Sequence, residues 1–266
     1  MIDGGVQRIS PRRAAERWWQ RQLRQGNLLV RAADALVTAG DTVVDIGADW
    51  GTFTGGLARA IGPTGTLHSF EPNPADRESL IRVRDGRENV VLHQLALSDA
   101  AGRATLQIKR RDGKSINAMG TLGSGLAAHW PDSTAVEVAT APLDDVLGRE
   151  VRPQFIKCDV EGHEYHVFRG AEALLRRNRP AILVEIEQRH SQRPIEQTFE
   201  LLADIGYDGF FVSSRGLQEL SRFSVRTHQL DVLDEHRNVL APREYVSDFV
   251  FVTDGCQLDG LLAHRP

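Results

Sequence analysis

The segment VVDIGADWGTFTGGLA places Asp45 at the end of a short apolar run, with Gly47 and Gly51 in the turn that follows. Glycines at such a point let the backbone approach a ligand closely. Asp45 there can hold a cationic amino group while turn amides meet a carboxylate, which suits a ligand with an amino-acid tail. After Gly47 the next glycine comes four positions later, so no G-x-G-x-x-G dinucleotide-phosphate fingerprint can be written across this turn. SFEPNP then puts Glu71 at the tip of a second apolar run, where an acid can accept both hydroxyls of a ribose. In QLALSD, Leu95 and Ala96 can wall a flat base, and Ser98 or Asp99 can reach its amino group or cap the next segment. Together these point to an adenosine ligand. In FIKCDVEGHEY, Lys157 and Asp159 share a strand face, and Glu161, His163 and Glu164 follow in the turn and the first helical residues. Ionisable groups gathered at the carboxyl end of a strand mark the place where open α/β sheets bind ligands.

The elements that must position these residues alternate. Ser10-Pro11 is a good cap and first turn for a helix carrying Ala15, Trp18, Trp19 and Leu23, whose tryptophans should pack on the main body. Asn27 caps a second helix that Gly40 stops. Strand 42–46, helix 53–61, strand 66–70, helix 74–83 and strand 90–95 follow, and alternation of this kind implies a parallel sheet. Residues 104–108 read as a strand, 110–133 as a long loop holding the glycine-rich TLGSGLAAHW, and 136–139 as a return to the sheet. Strand 155–160, helix 165–177, strand 181–186, helix 195–205 and strands 207–212 and 249–253 complete the pattern. The expected fold is a doubly wound α/β domain over 41–255 with helices on both faces, a helical cap over 1–40 and a tail over 256–266. Segments 110–133 and 213–247 are expected as substrate-side loops.

Bulk properties exclude several classes. A chain of 266 residues with 41% hydrophobic side chains fits one large domain. A formal charge of -4 provides no basic field of the kind that drives nucleic-acid affinity, so neither DNA nor RNA is expected as a partner. Cys158 and Cys256 have no metal or redox spacing, which fits a reducing compartment. The first ten residues lack a signal pattern and no apolar run is long enough to span a bilayer, so a cytoplasmic location is expected. A homodimer is the assembly allowed for.

The stretches VVDIGADWGTFT, FEPNP, LALSDAAG, LDDVL, FIKCDVEGHEYHVFRGA and RPAILVEIE occur in an order and spacing that resemble the FkbM-type methyltransferases, over roughly residues 42–187. The resemblance implies a class I methyltransferase fold, with S-adenosylmethionine as donor and S-adenosylhomocysteine as product. The implied acceptor is a hydroxyl oxygen on a small sugar, glycolipid or polyketide-type metabolite. It puts Asp45, Gly47, Gly51, Thr54 and Glu71 at the cofactor and Asp159 beside the donated methyl. Asp49, Phe53, Pro72, Asn73, Leu95, Ala96 and Ser98, in the same segments, complete the expected cofactor set. One departure is Asp49-Trp50, where the family more often carries asparagine and a small or aliphatic residue.

Methyl transfer to a hydroxyl gains from removal of its proton, commonly by ~10²–10⁴-fold. His163 is the first candidate base, with Asp159 or Glu161 behind it. No resident metal is assigned; the alternative is a divalent ion among Asp159, Glu161, His163 and Glu185. Glu185 and Glu187 share a strand face and can bind a backbone or substrate hydroxyl, and His190 reads as a solvated loop histidine on the substrate side. The rival functions are a nicotinamide-dependent oxidoreductase, disfavoured by the missing phosphate glycines, and a cofactor-binding partner subunit without turnover.

Overall fold

The computed structural model describes residues 10–25, 27–111, 114–122, 132–235, 237–240, 243–254 and 258. The glycine-rich piece from 123 to 130, Cys256 and most of the 256–266 tail lie outside them. Five parallel strands form the centre of the main sheet: β1 (Thr42–Ile46), β2 (Thr66–Phe70), β3 (Val90–His93), β8 (Phe155–Cys158) and β9 (Ala181–Glu185). Three antiparallel strands extend it beyond β9, namely β12 (Asp248–Val252), β10 (Asp208–Ser213) and β11 (Gly216–Glu219). The order across the sheet is β11-β10-β12-β9-β8-β1-β2-β3. The chain therefore leaves β1 toward β2 on one side and returns through β8 on the other. That is a topological switch point, where such sheets open a crevice at their carboxyl ends.

Period-two alternation fixes the two faces. Val44, Ile46, Ile156, Cys158, Ile182 and Val184 enter one core, while Val43, Phe155, Ala181, Leu183, Val250 and Val252 enter the other. These central runs are apolar throughout because both faces are covered. Helices α1 (Pro11–Arg24), α2 (Leu28–Leu36) and α3 (Thr52–Ala60) serve the second core. Trp19, fully buried, lies against α3 at Gly56, where a Cβ would overlap its indole, while Ala15 lies against Gly55 one position earlier. Its indole N–H donates to Asp34 at 3.0 Å, and Trp18 and Trp19 both pack on Phe53.

Three expectations need correction. The helix read as 165–177 is two helices, Glu164–Arg169 and Glu172–Asn178, broken at Gly170, where a Cβ would overlap the Ser98 carbonyl. The 110–133 loop contains a strand, β6 (Lys114–Thr121), paired with β5 (Gly102–Arg111). Residues 136–139 belong to β7 (Ser133–Ala141), which joins β4 (Ala96–Leu97), β5 and β6 in a separate sheet ordered β4-β7-β5-β6 rather than returning to the main one. The missed signal was Asp112-Gly113. Arg111 pairs with Lys114, so this hairpin-type dipeptide separates the two strands. Polar residues on the uncovered face of the small sheet diluted the alternation that would have shown it.

Candidate active site

A cavity of about 660 Å³, counting its mouth, opens at the switch point. Four strand ends and the small sheet supply its walls: Ile46, Gly47 and Asp49 after β1, Phe70 to Asn73 after β2, Leu95 to Leu97 after β3, and Asp159, Val160, Glu161 and His163 after β8. Leu106, Gly120 and Leu122 of the small sheet close it from above. The last three lay in or beside the stretch read as a loop, and the sequence reading did not name them. No residue from 10–36 or 213–247 lines this cavity among the described residues. The loop role expected for 213–247 is therefore not seen at this wall.

The turn after β1 is built from buried charge. Asp45 is fully buried and does not line the cavity; its Oδ2 accepts from Thr54 Oγ1 at 2.7 Å. Lys157, also buried, donates to the Gly47 carbonyl at 2.7 Å and stands 3.7 Å from Asp45 Oδ1 and 3.6 Å from Asp159 Oδ2. Sequence reasoning gave Lys157 a shared face with Asp159 but not this clamp. Burial raises the Asp45 carboxyl above its ordinary value, while Lys157 and Thr54 pull it down. Gly47 sits at φ 73°, and a Cβ there would overlap the Asp159 carbonyl oxygen. Close approach of the two turns, rather than of a ligand, demands this glycine. Four turn amides are taken as well: Gly47 and Ala48 donate to Phe70, Asp49 to Glu71 Oε2, and Gly51 to Ala48. These four amides are therefore not free to meet a ligand carboxylate in this arrangement.

Asp49 and Glu71 do face the cavity. Asp49 adopts φ 49°, and its Oδ1 is buried with no hydrogen-bond partner. Burial pushes its carboxyl up to about 6. Glu71 accepts amide N–H groups from Asp49 at 2.9 Å and Asn73 at 2.8 Å, and burial lifts it to about 7. Of the expected cofactor set, Gly47, Asp49, Glu71, Pro72, Asn73, Leu95, Ala96 and Asp159 line the cavity. Asp45, Gly51, Phe53, Thr54 and Ser98 stand behind it.

On the β8 side, His163 Nε2 is 2.9 Å from Ser98 Oγ, its ring stacks on His166, and burial drags its pKa down to about 4. Glu161 adopts φ 53°, and its Oε2 lies 2.6 Å from His190 Nδ1. His190 is 7% exposed, so it is a buried histidine and not a solvated one. The metal set allowed for in the sequence is not gathered: Glu161 meets Glu187 and His190 rather than Asp159, His163 and Glu185. His190 Nδ1 lies between the Glu161 and Glu187 carboxylates, and both favour the protonated ring against its burial.

No helix of the described residues is long and apolar enough to cross a membrane. Comparison with curated proteins gives no match. Among solved structures, the chain is similar to methyltransferase FkbM from Methylobacillus flagellatus, at 15% identity and TM-score 0.49, over 80% of this chain and 43% of that one. This chain thus spans less than half of that protein. It is also similar to Aeropyrum pernix fibrillarin with natively bound S-adenosyl-L-methionine, at 13% identity and TM-score 0.42 over 82% and 68% of the two chains. A third similar structure is precorrin-6y C5,15-methyltransferase from Geobacter metallireducens, at 13% identity and TM-score 0.44 over 86% and 89%. The methyltransferase FkbM domain model matches residues 37–210, which hold all the switch-point segments described above. The chain belongs to the methyltransferase FkbM family.

Proposed function

We propose that this protein transfers the methyl group of S-adenosylmethionine to a hydroxyl oxygen of a small acceptor, a sugar, glycolipid or polyketide-type metabolite. The observation that carries the reading is the unpartnered, buried Asp49 Oδ1 facing the cavity opposite the Glu71 carboxylate. An orphaned buried acceptor is costly unless a ligand meets it. A cationic amino group at Asp49 and ribose hydroxyls at Glu71 satisfy both acids at once, with Leu95 and Ala96 against the adenine. Asp45 then acts from behind, through Thr54 and Lys157, to hold the turn. The bound cofactor supplies an electrophilic methyl on a sulfonium centre. This chain's part is to align the acceptor against it at Asp159, Glu161 and His163 and to exclude water with Leu106, Gly120 and Leu122.

Acids at the mouth repel phosphate, which supports a small uncharged or cationic acceptor over a nucleic acid. Residues 41–255 form the working unit in this reading, and the described helices over Pro11–Arg24 and Leu28–Leu36 brace it away from the cavity. The test is isothermal calorimetry with S-adenosylmethionine, followed by incubation with labelled methyl donor and a panel of hydroxylated acceptors read by mass spectrometry. Micromolar binding and a methylated product are expected. Binding of NADH with no binding of either sulfur nucleoside would remove the proposal.

A further inference from the structure

We propose that Glu161 takes the proton of the acceptor hydroxyl and that His190, set between Glu161 and Glu187, is the positioning residue that keeps this carboxylate ionised and aimed. The assignment rests on the methyl-transfer reading above.

The backbone of Glu161 is fixed from two sides. It occupies the left-handed region at φ 53°, a conformation that a non-glycine residue keeps only where its surroundings hold it. Thr121, from β6, donates to its carbonyl at 2.7 Å. Gly162 follows at φ 97°, and a Cβ there would overlap the His190 carbonyl, so the turn lies directly on the histidine's backbone. The result is an acidic residue on the cavity wall whose backbone is held by contacts from β6 and from His190.

The side chain is fixed as well. His190 Nδ1 is 2.6 Å from Glu161 Oε2 and 3.3 Å from Glu187 Oε1. Glu187 is buried and held by Arg189, with Nε 2.6 Å from Oε2, and the Arg189 guanidinium lies over the Tyr245 ring. The charged groups facing the pair are Asp159 and Glu164 on the β8 side and Glu185, Glu187 and Arg189 on the β9 side. Burial drives the Glu161 carboxyl upward and the imidazolium opposes it. The two carboxylates hold His190 above its ordinary value against burial.

The competing bases are engaged elsewhere. His163 has Nε2 on Ser98, and its burial leaves it a weak proton acceptor. Asp159 faces the Lys157 ammonium. In the step itself the acceptor oxygen forms a bond to the methyl carbon as the carbon–sulfur bond breaks, and that electron pair stays on sulfur. The hydroxyl proton passes to Glu161 and from there to solvent. The products are a methyl ether, S-adenosylhomocysteine and a proton.

The test compares wild type with Glu161→Gln and His190→Gln, reading cofactor affinity by calorimetry, kcat and KM across pH, and histidine ring protonation by ¹⁵N NMR. Glu161→Gln should lower kcat about 100-fold or more with cofactor affinity unchanged. His190→Gln should lower kcat about 10-fold and move its acid limb to higher pH by about one unit, because the carboxylate loses its cation. A limb that stays in place would reduce His190 to packing and overturn its role. If His190→Gln does not fold, the wild-type titration decides: an imidazolium at pH 7 is expected, and a neutral ring overturns the pairing. Wild-type kcat in folded Glu161→Gln, or loss of wild-type turnover to a chelator with recovery on adding magnesium, would overturn the base assignment while leaving methyl transfer intact. A wild type that neither binds S-adenosylmethionine nor methylates any acceptor overturns the proposed function as well.

Discussion

The turn after β1 and the turn after β8 stand against each other at the switch point, each with a non-glycine residue in the left-handed region, Asp49 and Glu161. They differ in where their acids go. The β1 turn buries Asp45 under Thr54 and Lys157 and commits amides inward, so much of its motif supports the turn, and Asp49 is its one acid on the cavity wall among the described residues. The β8 turn presents Asp159, Glu161 and His163 to the cavity and keeps its supporting charges, His190 and Glu187, one layer back. A motif that names a family can therefore consist mainly of scaffold, while the neighbouring loop brings more of its ionisable groups to the cavity wall.

Breaking the scaffold should give the largest effect. Lys157→Met leaves Asp45 and Asp159 without their cation, and removing one partner of a buried ion pair costs about 3–5 kcal/mol. Denaturant unfolding should show a loss of that order. An unchanged midpoint would mean that the β1 turn does not depend on the clamp. Trp19→Ala, on the opposite face of the same unit, should cost about 3–5 kcal/mol while leaving cofactor affinity per folded molecule unchanged. A selective loss of affinity would place the N-terminal helix in the site.

Smaller effects sharpen the contrast. Asp49→Ala and Glu71→Ala should each weaken S-adenosylmethionine binding by about 1–3 kcal/mol with little change in stability, the reverse of Lys157→Met. Equal affinity of either variant and wild type in calorimetry would misplace the cofactor. Because Glu71 titrates at about 7 and its ionised form accepts the hydroxyls, the dissociation constant should fall as pH rises from 6 to 8. Glu71→Gln should remove that dependence. His163→Ala should keep the acid limb of kcat, since its imidazole already titrates near 4.

The smallest effect is on stability itself. Burial raises Glu164 and Asp248 to about 7, well above their unfolded values. Their contribution is present below the unfolded carboxylate range and is lost as pH rises through about 7, so Tm should be lower at pH 8 than at pH 6. For a chain of this size about 1 kcal/mol corresponds to a shift of about 2–4 °C. A flat Tm over this window, or an undiminished slope in Glu164→Gln/Asp248→Asn, would argue against these acids as its source.

The parallel strands were legible because apolar runs such as VVDI and AILVE lie between punctuating glycines and prolines, and their period announces itself. The cavity's floor followed, since Asp49, Glu71, Leu95, Ala96 and Asp159 sit at strand tips where the sheet rule puts a ligand. Burial within the turn was not legible. Asp45 and Asp49 are four residues apart in one acidic motif, and only packing decides that the first is sealed and the second open. His190 was misread for a related reason: its partner Glu161 is 29 residues away in sequence, and no local pattern records that approach. The small sheet hid because it has only one covered face, and its polar side reads as loop.

The seat of Trp19 on Gly56 has a consequence for how the chain is made. Trp19 leaves the ribosome 37 residues before Gly56. At about 5–20 residues per second, its seat arrives roughly 2–7 s later. Through that interval the buried face of the first helix, with Trp19 at its centre, lacks its partner on α3. Synthesis rate over residues 20–56 thus sets how long this surface stays open to chaperones or to a neighbouring chain. Slow codons there should raise aggregation during expression without altering the finished enzyme.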